Sequence, residues 1–428
     1  MLYYSTNNSE LRISFEEATL KGMEVDGGLY MPTSIPQLDF SNFSSSANIN
    51  SVAIELAKCF IDDNELCSSL GNLYDFNAPL IQLDDNLFVL ELFHGPTLAF
   101  KDFGALFLAK IYSTILRTNF RRANILVATS GDTGSAVANA FFKSPFVNVV
   151  LLYPKGKVSH LQEKQLTTFG ENIFAIEVDG NFDDCQRLVK QAFADESLKS
   201  ELFLTSANSI NIARLLPQIS YYINSFLQLS IFDREVYFTV PSGNLGNLTA
   251  GLFAKFMGLP ISKFIAAVNQ NNSFETYLST GQIINSEVIP TLSNAMDVGN
   301  PSNLARINNL YNFDLLKMKE DITPLSFSDD ETLSMINTMY KKYNYTCCPH
   351  TAVGFLAHQK MIKHKTNKFV NVVLSPAHPA KFKETVEKGI DKKITLPEQL
   401  QLALTEEKKV INCDNKFNTF KKIIYKLF

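Results

Sequence analysis

Tryptophan is absent from the 428 residues, and cysteine is scarce: Cys59, Cys67, Cys185, Cys347, Cys348 and Cys413 are the whole complement, irregularly spaced. So uneven a set offers no disulfide framework of the kind that staples small secreted domains. Cys347-Cys348-Pro349-His350 puts two thiols side by side without the two-residue gap of zinc sites, so reduced thiols and no metal are expected. A basic excess is missing too, because 39 Lys and Arg stand against 43 Asp and Glu for a net charge of −4. With no basic field to attract nucleic acid or an anionic membrane, any anion must be gripped locally. No apolar run reaches membrane-spanning length, and Met1-Leu2-Tyr3-Tyr4-Ser5-Thr6-Asn7-Asn8 lacks the basic and apolar regions of a signal peptide. These absences lead to the expectation of a soluble cytoplasmic protein.

What is present is enough apolar material, 46% of residues with 34 Phe, for a large interior divided into roughly two or three lobes. The first eighty residues mix short helical patterns with turns: Ser14-Phe15-Glu16-Glu17 caps a helix, Asp26-Gly27-Gly28 turns, and a Ser/Asn-rich loop at 41–50 precedes a helical stretch at 52–61. From Asn86 the texture becomes β-then-α. Strands are predicted at 87–92, 125–128, 147–153, 173–178, 236–240, 264–268 and 369–374. Helical patterns lie between, at 103–116, 135–142, 160–169, 182–193, 215–227 and 248–257. Several strands are unbroken apolar runs, as parallel strands covered on both faces should be. The fold class is therefore α/β with open twisted parallel sheets, arranged as a cap region at 1–80, a smaller lobe at 81–205 and a larger lobe at 206–428. The basic run from Lys408-Lys409 to Lys421-Lys422 and Lys426 is expected to end the chain in an amphipathic helix with a solvated face.

One lysine stands out. In Phe93-His94-Gly95-Pro96-Thr97-Leu98-Ala99-Phe100-Lys101-Asp102-Phe103-Gly104 it sits between a Gly-Pro turn and a helical pattern, crowded by apolar neighbours. Such crowding favours the neutral, nucleophilic amine that Schiff-base chemistry requires; the alternative is a side chain that packs its stem and keeps its head in water. Two strand-to-helix turns are rich in glycine and polar residues: Thr129-Ser130-Gly131-Asp132-Thr133-Gly134 and Pro241-Ser242-Gly243-Asn244-Leu245-Gly246-Asn247. Each could cradle phosphate or carboxylate at a helix N-terminus beyond the carboxyl end of a strand, or serve only as a tight turn. Neither matches a P-loop or a dinucleotide fingerprint. Pyridoxal 5'-phosphate fits this trio, needing an amine for its aldehyde, an amide-lined cup for its phosphate and a partner for its ring nitrogen.

The same segments, with Pro349-His350-Thr351-Ala352 and Ala377-His378-Pro379-Ala380-Lys381-Phe382, occur in an order that resembles the threonine synthase family. Ser14-Phe15-Glu16-Glu17-Ala18, Asp26-Gly27-Gly28-Leu29-Tyr30-Met31-Pro32 and Gly299-Asn300-Pro301-Ser302-Asn303 are also similar to that family, so the resemblance spans nearly the whole chain. It implies the two-lobed sheet architecture of fold-type II pyridoxal-phosphate enzymes. It further implies that Lys101 holds the cofactor as a Schiff base and shuttles protons, that Gly243, Asn244, Leu245, Gly246 and Asn247 wrap the cofactor phosphate, and that Asp132 addresses the ring hydroxyl. Ser130 and Thr133 would hold the substrate carboxylate. Asn208, Ser209 and Arg214 resemble a pocket for the substrate's own phosphate, the alternative being a helix capped at Ser209 with Arg214 on its solvated face. Where the family commonly has Thr before Ala-His-Pro-Ala-Lys-Phe this chain has Pro376, so Ser375 is expected to meet the pyridine nitrogen instead. His94, His350 and His378, though within motifs, are read as histidines that hydrogen-bond across packed loops. The implied reaction takes O-phospho-L-homoserine and water to L-threonine and phosphate. The alternatives are a related lyase (a threonine dehydratase or a β-replacing synthase) and a non-catalytic cofactor-binding protein.

Overall fold

The computed structural model describes all residues except 41, 42, 44–47, 119–121, 230–233, 285, 286 and 363–368. Most of the Ser/Asn-rich loop at 41–50 thus lies outside the described residues. Three sheets organise the rest. Strands β1 (Tyr3–Ser5), β2 (Asn8–Ile13) and β3 (Tyr30–Pro32) form a small antiparallel sheet in the order β2-β1-β3. Next come β4 (Leu80–Asp84), β5 (Leu87–Glu91), β6 (Ala123–Ala128), β7 (Val147–Pro154), β8 (Ile173–Asp179), β9 (Leu204–Thr205), β10 (Glu235–Pro241), β11 (Ile261–Val268), β12 (Ile322–Ser326), β13 (Phe369–Ser375) and β14 (Ile411–Asp414). They build a six-stranded sheet, β12-β11-β10-β13-β5-β4, and a five-stranded sheet, β14-β8-β7-β6-β9. Every pairing in these two is parallel except β4 with β5.

All seven predicted strands and the helical patterns between them are present, and the apolar runs explain why. Every residue of β6 and of β13 is buried, as helices on both faces of a parallel sheet require. Helix starts follow local chemistry: Ser14 caps Phe15–Lys21, and Ser159 with Gln162 makes a capping box for His160–Thr167. The pattern at 215–227 is broken by Pro217, which turns it into a short helix, Ile212–Leu215, a 3-10 turn and a second helix, Ile219–Leu229.

One expectation needs correction. The lobes do not divide at residue 205, because β4 and β5 pair into the sheet of the second half while β14 returns to extend the sheet of the first. Central strands need partners on both edges, and the chain supplies them from distant segments. The C-terminal basic run does end the chain in an amphipathic helix: Lys408 reaches Glu163 and Glu177 at 2.7 Å each, β14 follows, and Phe417–Leu427 is helical, burying Phe420 and Ile424.

The N-terminal sheet is tied to both halves. The Thr19 carbonyl accepts from Tyr112 Oη and Asn211 Nδ2, and the Tyr30 carbonyl accepts from Arg306 Nε. The loops that leave β5, β6, β9, β10 and β13 all leave carboxyl ends, where ligands of open α/β sheets sit. Among the described residues, no helix is long and apolar enough to cross a membrane.

Candidate active site

Lys101 is the first residue of the helix Lys101–Thr118, and the turn before it is held from two sides. Thr97 donates its N–H to Asp102 Oδ2 at 2.9 Å and its hydroxyl to Oδ1 at 2.5 Å. Gly95 allows this, since a Cβ there would lie 2.5 Å from Asp102 Oδ2. Burial pushes the Asp102 carboxyl up to about 6 against the Thr97 hydrogen bonds. From the other side, Phe100 N donates to the Pro376 carbonyl (2.8 Å) and His378 N to the Leu98 carbonyl (3.0 Å), so the segment after β13 straps down the residues preceding the lysine. Pro376 therefore serves through its carbonyl, the one hydrogen-bonding group its backbone keeps.

The Lys101 side chain is 16% exposed, with Nζ 3.9 Å from Asp132 Oδ2. Burial lowers its proton affinity, Asp132 opposes that shift, and the Lys381 and Arg214 cations reinforce it. Sequence reading expected such a lowered amine and did not foresee its neighbour. Lys381, whose side chain is fully buried, donates to Asp132 Oδ1 at 2.9 Å and to the Thr97 carbonyl at 2.7 Å. Gln162 Nε2 adds a bond to the same carboxylate oxygen at 3.3 Å. Burial alone would raise Asp132, but Lys381 and Lys101 together overcome it and hold the carboxyl well below the usual range. Asp132 is thus an ionised carboxylate between two lysines.

The loop that carries Asp132 follows β6. Gly131 has φ +135°, which an L side chain rarely adopts, and the Thr129 hydroxyl accepts from Gly131 N and Gly134 N. Ser130 and Thr133 are half-buried at this loop. His350 lies buried nearby, its Nε2 accepting from Ala295 N at 3.2 Å; burial holds its imidazole down at about 4.

The loop after β10 is the second cradle. Leu245 adopts the left-handed conformation (φ +59°, ψ 5°) directly before helix Gly246–Phe256, a αL-then-αR sequence that turns successive N–H groups to one side. None of the N–H groups of residues 243–247 forms a hydrogen bond with any described residue. Gly243 is required by close approach, since a Cβ would fall 2.7 Å from Met296 Cα. The buried Asn247 accepts from Tyr221 Oη and Tyr222 Oη at 2.7 Å each through Oδ1, which leaves Nδ2 buried without a partner. Asn244 Nδ2 donates to Ser209 Oγ at 2.7 Å, joining the loop to the segment after β9.

The solvated-face alternative for Arg214 is not what the structure shows. The helix it belongs to is capped by Asn211, not Ser209, and the guanidinium is buried, bonded to the Ala207 carbonyl through Nη1 while Nε has no partner. It packs on the lysine helix, where a Cβ on Gly104 would meet Arg214 Nε at 2.9 Å. Asn208 and Ser209 are half-buried beside it in the chain. Ser375, buried at the end of β13, shares a 2.8 Å hydrogen bond with Thr351 Oγ1, which in turn contacts Cys348 Sγ at 3.2 Å.

Contacts thus join Lys101 to Asp132, Asn244 to Ser209, and Arg214 to the lysine helix. Sequence reading assigned no role to Lys381, Thr97, Gln162, Thr351, Tyr221, Tyr222 or Asn303. Lys381, Thr97, Thr351 and Asn303 did stand inside singled-out motifs; the tyrosines carried no local signal.

A lysine of lowered proton affinity beside a carboxylate, together with a loop of N–H groups and a buried amide that have no partner among the described residues, fits pyridoxal 5'-phosphate. A family model for pyridoxal-phosphate dependent enzymes matches residues 73–375. This is a pyridoxal-phosphate enzyme by class. Models for the threonine synthase N terminus and the threonine synthase C-terminal part match residues 2–73 and 351–424. The chain is 42% identical to the threonine synthase of Haemophilus influenzae and 41% to that of Escherichia coli, with 94% of each chain covered in both cases. Its structure matches the Escherichia coli threonine synthase crystal structure with a TM-score of 0.91 at 39% identity, over 100% of both chains. The pyridoxal-phosphate-bound threonine synthase of Brucella melitensis gives 0.92 at 32% identity, over 100% of this chain and 99% of that one. The chain belongs to the threonine synthase family, pyridoxal-phosphate-dependent lyases of amino-acid biosynthesis, and the dehydratase, β-replacing and non-catalytic alternatives are not favoured. Maize serine racemase, at 15% identity and a TM-score of 0.55, shares the fold alone.

Proposed function

We propose that this enzyme acts on O-phospho-L-homoserine, releasing phosphate from the γ-carbon and adding water at the β-carbon to give L-threonine. The observation that carries the reading is the placement of Lys101 Nζ 3.9 Å from an ionised, buried Asp132 at the meeting of the two parallel sheets. In this reading Lys101 anchors the cofactor, and the 243–247 loop, with the Asn247 amide, holds its phosphate. Asp132 faces the ring hydroxyl, and Ser375, shared with Thr351, faces the ring nitrogen. Ser130 and Thr133 take the substrate carboxylate at the N-terminus of helix Asp132–Phe141. Arg214, with its unpartnered Nε, takes the substrate phosphate together with Asn208 and Ser209; the planar fork of arginine suits that anion. Residues 1–80 cap these two halves.

When bound, the cofactor would supply an electron sink for the negative charge left by proton removal from the substrate. The protein supplies the base. A Lys101 amine with lowered proton affinity can take the α-proton, must give it up again to act as a base a second time, and can then take a β-proton, which its ammonium can return to the γ-carbon after phosphate has left. Arg214 offsets the charge on the departing phosphate. Ser375 and Thr351, as neutral hydroxyls, leave the ring nitrogen less protonated than a carboxylate would. The test is phosphate release from O-phospho-L-homoserine by the purified chain with and without added cofactor, beside Lys101→Ala. Turnover that needs the cofactor and Lys101 is expected. Turnover of threonine or serine in place of phosphohomoserine, or a visible cofactor band still covalently held in Lys101→Ala, would overturn it.

A further inference from the structure

Arg306 is among the largest fully buried side chains, at 0% exposure. It lies on the helix Leu304–Leu310, outside the residues given roles above. Its three hydrogen bonds all go to neutral acceptors: Nε to the Tyr30 carbonyl at 3.1 Å, Nη1 to Asn303 Oδ1 at 2.8 Å and Nη2 to the Ile210 carbonyl at 2.6 Å. No carboxylate among the described residues lies within 4.0 Å of it. Burial lowers its proton affinity to about 9, so the charge persists at neutral pH. A buried cation with no anion is costly unless something else neutralises it.

Its partners lead to the phosphate loop. Asn303, whose Oδ1 Arg306 holds, donates Nδ2 to the Asn244 carbonyl at 3.0 Å, and Ser302 N donates to Asn244 Oδ1. Ile210, whose carbonyl Arg306 holds, follows Ser209, which accepts from Asn244 Nδ2. Every side-chain and carbonyl contact of Asn244 thus runs back to segments that Arg306 clamps. A peptide's C=O and N–H point in opposite directions, so fixing the Asn244 carbonyl toward Asn303 turns the Leu245 N–H away from Asn303. The left-handed Leu245 is a strained choice for a branched side chain, and this clamp is what over-determines it.

We propose that Arg306 is a positioning residue for the cofactor phosphate: it fixes Asn303 and through it the Asn244 carbonyl, aims the N–H groups of 245–247 at the anion, and has that anion as its countercharge. The inference rests on the reading of 243–247 as the phosphate cradle. A merely structural arginine would stabilise the fold and leave the preference for a phosphorylated cofactor untouched.

The experiment compares the affinity of the full chain, stripped of cofactor, for pyridoxal 5'-phosphate and for pyridoxal, in the wild type, Arg306→Met, Arg306→Lys and Asn303→Ala. Arg306→Met is expected to weaken pyridoxal phosphate binding by about tenfold or more, the scale of a hydrogen-bonded charge, with pyridoxal binding little changed. Arg306→Lys should keep part of the preference by keeping the charge. Asn303→Ala, which cuts the same chain of contacts without removing a buried cation, should also reduce it and serves where Arg306→Met does not fold. Undiminished preference for the phosphorylated form in Arg306→Met, or in Asn303→Ala where the first cannot be purified, overturns the proposal. A wild type that does not distinguish pyridoxal phosphate from pyridoxal instead overturns the cradle reading itself.

Discussion

Replacing Lys381 with methionine removes one of the two cations that flank Asp132. The pair is 2.9 Å long with both partners buried, so the change strands a carboxylate whose remaining contacts are Gln162 Nε2 at 3.3 Å and Lys101 at 3.9 Å. Breaking a buried pair in this way costs about 3–5 kcal/mol of folding stability. The second consequence is more diagnostic. At 3.9 Å and an effective dielectric of about 20, Asp132 attracts a protonated Lys101 by about 4 kcal/mol. In the wild type the Lys381 cation opposes that attraction; without it Lys101 holds its proton more tightly. Losing that opposition moves the Lys101 midpoint upward. The neutral fraction of the amine at a given pH falls accordingly.

The assay is the rate at which stripped enzyme develops its bound-cofactor absorbance, followed between about pH 6 and 10. The midpoint of that profile should rise in Lys381→Met. In the double variant Lys381→Met/Asp132→Asn, where neither charge remains, stability should recover in part and the upward shift should vanish, a non-additivity that a double-mutant cycle reads directly. A folded Lys381→Met whose midpoint is unmoved or lowered would refute the electrostatic coupling of the two lysines through Asp132.

Gly243→Ala should weaken cofactor binding by at least about tenfold while the apo fold survives, because its Cβ meets the Met296 backbone at 2.7 Å and the loop must shift; unchanged cofactor titration counts against the cradle. The neutral buried His350 makes stability fall with acid: the unfolded chain takes a proton near 6.5, the folded one only near 4, so up to about 3 kcal/mol present above pH 6.5 is lost as pH drops toward 4. Asp102 and Asp297, both raised to about 6, act in the opposite sense, so the quantity to measure is the difference between wild type and His350→Gln, whose denaturation midpoints should converge with acid across that window. Ser375→Ala removes the hydroxyl shared with Thr351 and should shift the cofactor absorbance or lower turnover; if neither changes, Thr351 or another group meets the ring nitrogen.

Local chemistry was readable where it depends on neighbours in sequence. Runs such as Ile125-Leu126-Val127-Ala128 become central strands because only burial on both faces suits them, and Gly131 and Gly243 mark places where a Cβ has no room. Lys101 followed from the same logic. What stayed hidden was decided across the chain. Nothing near residue 88 shows that β5 will lie against β13, more than 280 positions later, nor that β14 will cross back to β8. Lys381 stood inside a singled-out motif but without a role; its meaning comes from Asp132, beyond the other sheet. Arg306 had no signal at all, since a helical arginine reads as solvated until its surroundings are known.

Charge accounting unites these hidden residues. The interior around the site holds Lys101, Lys381, Arg214 and Arg306 against the carboxylates Asp102 and Asp132, although the whole chain carries a net charge of −4. Cations so concentrated in a low dielectric would destabilise the fold unless anions complete the set. In the proposed reaction those anions arrive from outside, as a cofactor phosphate, a substrate phosphate and a substrate carboxylate, each beside a different cation or N–H cluster. Departure of the substrate phosphate then removes negative charge from the neighbourhood of Arg214 while the cofactor phosphate stays. The hold on what remains of the substrate therefore weakens once phosphate leaves with its charge, and the local positive excess returns. In the proposed reading, selectivity for a phosphorylated substrate and retention of the cofactor thus have separate origins, the first in Arg214 and the second in the 243–247 loop that Arg306 is proposed to steady from behind.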